Sequence, residues 1–141
     1  SKDEKIIDMY CGVGSIGIST NNGQRLLGVD GDANNIKLAE INAAENKINA
    51  EFVCAADFKA TNFIDSTSTL ILDPPRAGIH KKMMAAILAK LPPKIIYLSC
   101  NPSTQARDME SLKQYYTLAF FEAYNFFPRT PHIESMAVLT R

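Results

Sequence analysis

Short apolar segments alternate with amphipathic ones along almost the whole of this chain, and that alternation restricts the fold more than any other feature. Strand-like runs occur at Lys5–Tyr10, Arg25–Val29, Glu51–Cys54, Thr69–Leu72 and Lys94–Ser99, with Thr117–Tyr124 and Ser135–Thr140 closing the chain. Between them, Ala33–Asn46 places Ile36, Ala39 and Ala43 on one helical face, with Asp32 as N-cap. Residues 80–91 carry Met83, Ile87 and Leu91 at spacing four and stop at Pro92-Pro93, where the ring clash ends a helix. Residues 102–116 carry Met109, Leu112 and Tyr116. Strand and helix in turn imply a mostly parallel sheet, covered on both faces and joined by right-handed crossovers. No helix-length segment separates the last two strands, so they are expected to pair as an antiparallel hairpin. The 141 residues suit one domain, and a start almost on the first strand reads as a domain of a longer protein.

Fifteen basic residues balance fifteen acidic ones, so no global field draws the chain to nucleic acid or membrane. Contact with RNA or DNA must come from a local patch, with Arg76, Lys81, Lys82, Arg107 and Arg129 the candidates, or from another domain. No apolar run approaches the ~20 residues that span a bilayer. Cys11, Cys54 and Cys100 are widely spaced and include no C-x-x-C pair, which argues against a disulfide framework, a zinc site or an iron–sulfur cluster within the chain. The cytoplasm is the expected compartment, and no membrane partner is expected.

Three segments carry chemistry. Tyr97-Leu98-Ser99-Cys100-Asn101-Pro102 sets a thiol where a buried strand ends and a helix begins, with Asn101 as N-cap and Pro102 at the first helical position. The positive end of the helix dipole favours the thiolate, the form that attacks carbon. Asp8–Gly17 is a glycine loop between the first strand and a helix; Asp30 closes the next strand, where its carboxylate can meet a ribose hydroxyl. Asp57, after the third strand, is placed for an adenine amino group. Asp73-Pro74-Pro75-Arg76 follows the fourth strand and makes a stiff extended loop. If the sixth strand runs parallel to the others, the terminal turn through Phe127–Glu134 falls at the same sheet edge. Tyr10, Asp73, Cys100 and Glu134 then border one crevice, with Glu134 a base near a nucleophilic thiol. His132 reads as a structural hydrogen-bonder and His80 as surface near a helix start.

The segments DMYCGVGSIG, LDPPRAG, YLSCNPSTQARD and FFPRTPHIES, in that order, resemble the uracil-5 RNA methyltransferases that form 5-methyluridine in ribosomal and transfer RNA. The resemblance implies an α/β class I methyltransferase (Rossmann-like) fold of seven strands, the last antiparallel, and S-adenosyl-L-methionine as cofactor. It carries Tyr10, Ser15, Asp30 and Asp73 to cofactor-contact positions, beside Gly12 and Gly14 of the glycine loop and the Asp57 read above, and Cys100 to the nucleophile and Glu134 to the proton acceptor; no metal is expected. Asp30 stands where the family commonly has glutamate, and Asn125 where it commonly has aspartate. Relatives of this kind carry an upstream RNA-binding region that this sequence lacks. RNA is the implied partner, with ribosomal RNA slightly preferred to transfer RNA.

Uracil C5 is a poor nucleophile, and thiolate addition at C6 is the way to enrich it. RNA cytosine-5 methyltransferases generally add a second cysteine after the fourth strand, where this chain has Pro74-Pro75, so uracil is the expected base. A nicotinamide-dependent dehydrogenase would explain the glycine loop and Asp30 but leaves Cys100 and Glu134 without a task. A non-catalytic cofactor-binding or assembly module is the remaining alternative.

Overall fold

A computed structural model describes residues 4–126 and 128–141. Phe127, in the terminal turn, and the Asp57 side chain, an expected cofactor contact, lie outside the described residues. The strands are β1 (Lys5–Met9), β2 (Arg25–Asp30), β3 (Ala50–Cys54), β4 (Thr69–Leu72), β5 (Lys94–Ser99), β6 (Thr117–Tyr124) and β7 (Glu134–Thr140). The helices are α1 (Ser15–Thr20), α2 (Ala33–Glu45), α3 (Asp57–Ala60), α4 (Lys81–Lys90) and α5 (Pro102–Leu112), with a 3-10 turn at Thr61–Phe63.

The strands form one sheet in the order β3-β2-β1-β4-β5-β7-β6. β1 to β5 pair in parallel, and β7 runs antiparallel to both its neighbours. The expected hairpin is present, and β7 inserts its return strand between β5 and β6. Strand order reverses between β1 and β4, the place where an open α/β sheet leaves a crevice at its carboxyl edge. Even-numbered residues of β1 face α1 and α2, where Ile6, Leu26 and Ile71 pack with Ile18 and Ala43. The opposite face joins Ile7, Met9, Leu70, Leu72, Ile95 and Tyr97 to Met83 and Ile87 of α4 and Leu112 of α5. All of β4 is buried, as the continuous run TLIL requires of a strand covered on both sides.

Burial alternates along β5 and β7: Ile95, Tyr97, Ala137 and Leu139 are buried, while Ile96, Leu98, Met136 and Val138 are only half-buried. Those half-buried residues lie on the side of α1 and α2, which do not reach this part of the sheet. At the edge, β6 is exposed along nearly its whole length.

Two boundaries differ from the sequence pattern for identifiable reasons. β1 ends at Met9 because Tyr10 turns into the left-handed region, φ 62°. α5 ends at Leu112, although Tyr116 is buried as the periodicity requires. After the turn that follows the helix, Tyr116 still reaches inward and its hydroxyl donates to Pro92 O at 2.8 Å. The N-caps are as read: Asp32 accepts from Asn34 N at 2.7 Å, and Asn101 from Ser103 N at 3.2 Å with Pro102 at the first position.

Candidate active site

The turn after β1 is held from beneath by acids. Gly12 N donates to Asp30 Oδ2 at 2.9 Å, and Asp30 Oδ1 accepts from Asp32 N at 2.9 Å and Asn35 Nδ2 at 3.3 Å. Asp30 therefore shapes the loop as well as standing at its mouth. Gly12 has φ +54°, and a Cβ added there would meet no atom within 4 Å. The backbone there faces open space that a ligand can approach. Gly14 is different: its Cβ position is already filled by Ile18, Ala39 and Phe52. Ser15 is exposed and lines a groove of about 370 Å³ between α1 and α2.

Asp8, one turn of the strand below, was not among the residues expected here. It is 1% exposed, accepts from Gly17 N through Oδ2 at 3.0 Å, and its Oδ1 has no hydrogen-bond partner. Burial pushes its carboxyl up to about 7 against the lowering effect of the Gly17 N–H, with the Asp73 and Asp30 charges adding to the rise. The signal was in the pattern: a carboxylate on the buried run of β1, two residues before the glycine loop opens.

The Asp73-Pro74-Pro75-Arg76 loop is sewn to α5 through its backbone. Arg76 O accepts from Asn101 Nδ2 and Thr104 Oγ1, each at 3.2 Å, and Ala77 O accepts from Arg107 Nη2 at 2.8 Å. Ile79 N donates to Asp108 Oδ2 at 2.7 Å, and the same oxygen accepts from Tyr97 OH at 2.8 Å. At Gly78, φ +84°, an added Cβ would collide with the Asp108 carboxylate. A cavity of about 620 Å³ opens beside this loop, lined by Tyr10, Pro75, Ile79, Lys81, Met84 and Arg107 among others. Tyr10 and the expected rim cations Lys81 and Arg107 line it; Cys100, Asp73 and Glu134 do not.

At the carboxyl edge of the sheet β5 and β7 end side by side. They pair from Lys94↔Thr140 to Ser99↔Ser135. Cys100 is the first residue past β5, and Glu134, the next residue on β7, opens that strand. A buried polar link keeps this register. Ser135 Oγ donates to Gln105 Oε1 at 2.7 Å, with Ser99 O at 3.3 Å from the same hydroxyl, and Gln105 Nε2 donates to Tyr97 O at 2.9 Å. Gln105 and Asp108 occupy the buried face of α5 beside Leu112, so polar residues on an inward helical face were the overlooked signal.

Asp73, at the end of β4, completes the group: its pKa is raised by desolvation and then by the Glu134 carboxylate. Cys100 is half-buried at the N-terminus of α5. Cys11 is buried, its thiol pushed up to about 12 by desolvation and then by Asp8 and Asp30, so it is no nucleophile. Cys54 is exposed at the end of β3, on the far side of the sheet.

Of the five expected rim cations, Arg107 is committed to Asp108 and Ala77 O, and Lys82 lies over the Phe58 ring at 5.4 Å. Arg76 Nη1 comes within 3.4 Å of His132 Nδ1, joining the proline loop to the terminal turn that also carries Arg129. His80 caps α4 by accepting from Lys82 N at 3.3 Å. Among the described residues, no group of three or more His, Cys, Asp or Glu could hold a metal ion, and no helix is long and apolar enough to cross a membrane.

The sheet order, with β7 antiparallel and the glycine turn after β1, defines the class I methyltransferase fold. At 12% identity, a precorrin-6y C5,15-methyltransferase from Geobacter metallireducens superimposes with a TM-score of 0.74, covering 99% of this chain and 82% of that one, a likeness of fold alone. The narrower relation comes from sequence: the family model described as tRNA (uracil-5-)-methyltransferase matches residues 1–141, and the chain belongs to that family. The crystal structure of the Pyrococcus abyssi tRNA (uracil-54, C5)-methyltransferase in complex with S-adenosyl-L-homocysteine is 39% identical, with a TM-score of 0.89, over 97% of this chain and 34% of that one. The Saccharomyces cerevisiae tRNA (uracil(54)-C(5))-methyltransferase is 35% identical over 152 aligned residues, 100% of this chain and 24% of that protein. The chain spans about a third of the length of the curated Pyrococcus relatives it matches.

Proposed function

We propose that this chain is the catalytic domain of a longer enzyme that methylates C5 of a uridine in RNA, the remaining length supplying RNA binding. The observation that supports the reading is the β5–β7 ladder, which ends at Ser99↔Ser135 with Cys100 and Glu134 the next residues on the two strands and with Asp73 near enough to feel the Glu134 charge. The named relatives favour transfer RNA over the ribosomal RNA expected from sequence. The residues suit S-adenosylmethionine. Gly12 leaves open backbone, Asp8 Oδ1 is a buried acceptor without a donor, and Asp30 and Asp73 add carboxylates for a ribose and a cationic amino acid moiety. Tyr10 and Gly14 border the same turn, Asp57 follows β3, and Ser15 opens α1. When bound, the cofactor supplies an electrophilic methyl group.

The remaining chemistry belongs to the chain. The Cys100 thiolate adds to uracil C6, forming a C–S bond and an electron-rich C5. Once C5 carries the methyl group, Glu134 takes the C5 proton. The electron pair released re-forms the C5–C6 double bond and expels the thiolate. General-base assistance of this kind contributes ~10²–10⁴ in rate. A recessed thiol requires the base to leave its stack, so an unpaired or flipped uridine is the substrate.

The test uses transfer RNA bearing 5-fluorouridine, whose fluorine cannot leave as a proton does. The wild-type chain with S-adenosylmethionine is expected to form an adduct stable on a denaturing gel, and Cys100→Ala to form none. On ordinary RNA, Glu134→Gln retains a methylated adduct. Methylation by Cys100→Ala at the wild-type rate, or wild-type turnover by Glu134→Gln with no retained adduct, would sink the assignment, as would a wild-type chain that binds both ligands and transfers nothing.

A further inference from the structure

Beyond β6, the chain carries an aromatic pair that packing does not explain. Tyr124 and Phe126 stack with centroids 5.5 Å apart and planes 2° from parallel. Phe126 is 65% exposed, more than any other large apolar residue among those described. The exposed Leu118, Phe120 and Phe121 follow from an edge strand that is open along nearly its whole length. Phe126 lies past the strand, in the turn, where no sheet pattern demands an aromatic. Tyr124 is half-buried, and its hydroxyl donates to Glu122 Oε2 at 2.8 Å, which fixes the ring on which Phe126 rests.

The position of the pair gives it meaning. Tyr124 is the register partner of Glu134 on β6, as Cys100 is by extension on β5. Glu134 thus has the thiol on one side and the aromatic stack on the other. With neighbouring strands ~4.8 Å apart, thiol and stack are separated by about 10 Å. An RNA strand rising ~3.4 Å per stacked nucleotide covers that in about three nucleotides, fewer when drawn out. A parallel aromatic pair with one outer face open is the arrangement that a further flat ring extends. Charge sets the direction of approach. Glu122 accepts from the Tyr124 hydroxyl and Glu134 is the register partner of Tyr124, so carboxylates on the strand side repel phosphate. A strand therefore meets the stack with a base rather than with its phosphates.

We propose that the Tyr124–Phe126 stack is a nucleobase-binding subsite that takes an unpaired base flanking the uridine presented to Cys100. The proposal rests on the reading of the chain as an RNA-modifying domain. Because every base offers a π-face, the subsite orients the strand and does not select its sequence.

The chain contains no tryptophan, so Phe126→Trp introduces a single indole emitter. Titration with a short single-stranded uridine-containing RNA should quench that emission. Phe121→Trp, on the same edge strand and 49% exposed, should stay unquenched. Phe126→Ala should weaken RNA affinity roughly 5- to 100-fold, the usual loss for one base–aromatic stack, and raise KM for RNA with kcat nearly unchanged. Affinity for S-adenosylhomocysteine should not move, and Phe126→Tyr should restore binding. Equal quenching at the two positions, no quenching at Phe126→Trp, or an alanine variant that binds RNA like wild type would each overturn the subsite. The two readings fail separately. A chain that methylates RNA with KM untouched by Phe126→Ala lacks the subsite but keeps the activity. A chain that quenches at position 126 yet never transfers methyl keeps the subsite and loses the activity.

Discussion

Asp8→Asn isolates the cost of burying a carboxyl beneath the cofactor turn. In the folded chain Asp8 keeps its proton to about pH 7, whereas unfolded it titrates near its ordinary 3.8. Between those values the native state binds more protons than the unfolded one, so stability falls as pH rises through that window and levels off above about 7. At ~1.36 kcal/mol per pH unit the whole interval is worth about 4 kcal/mol, of which about 3 kcal/mol falls between pH 4.5 and 7.5. Asp8 is 1% exposed, so solvent screening takes little from this figure. Asp65 acts with the opposite sign. Burial raises its pKa, but bonds from Lys5, Ser68 and Thr67 override this and hold it below the usual range, so its contribution is lost only as pH falls below about 4. The assay is urea unfolding of wild type and Asp8→Asn at pH 4.5, 5.5, 6.5 and 7.5. Asparagine keeps an oxygen for Gly17 N–H, and any constant cost of the substitution drops out of the slope. Wild type should lose about 3 kcal/mol more than the variant across the series. Parallel curves would show that the carboxyl is ionised throughout and that the turn above it is solvated.

The other expectations concern the links that hold the site. Gly78→Ala, which drives a methyl into the Asp108 carboxylate at a left-handed backbone position, should destabilise the chain by ~1–3 kcal/mol in the same unfolding assay. Ser135→Ala leaves Gln105 Oε1 buried without its donor and should cost ~1–3 kcal/mol. It should also lower kcat more than it raises KM for RNA, because Glu134 loses its anchored neighbour; an unchanged kcat would separate the link from catalysis. With a thiol reagent at pH 8, Cys54 should label first and Cys11 last, read by peptide mass spectrometry. Cys11 labelling as fast as Cys54 would contradict its burial and a thiol pushed up to about 12.

Strand and helix positions were legible because they depend on local runs: TLIL carries a single polar residue, Thr69, and Asn101-Pro102 announces a helix start by cap chemistry alone. The terminal hairpin was legible from the absence of a helix-forming segment. Its insertion beside β5 was not, since the register rests on Ser99, Gln105 and Ser135, polar residues up to 36 positions apart whose pairing leaves no periodic trace. Hydrophobic periodicity also passes over Gln105 and Asp108, which are buried for the sake of their hydrogen bonds. Tyr10 reads as the last residue of a strand, yet its left-handed backbone is imposed by the turn that follows. Cys100 and Glu134 were expected from motif and topology; Asp8 required knowing which way its side chain points.

The bonds that tie the proline loop to α5 act on Arg76 O, Ala77 O and Ile79 N, all main-chain atoms. The path of the loop is thus written largely in the helix, at Asn101, Thr104, Arg107 and Asp108; of the side chains that the loop shows to solvent, Arg76 meets the terminal turn at His132 and not the helix. Substitution at those exposed positions leaves the main-chain bonds untouched, so the placement of Asp73 and Cys100 stays as it is. The shape of the loop and the chemistry of its surface are stored in different stretches of the chain, so one can drift while the other is kept.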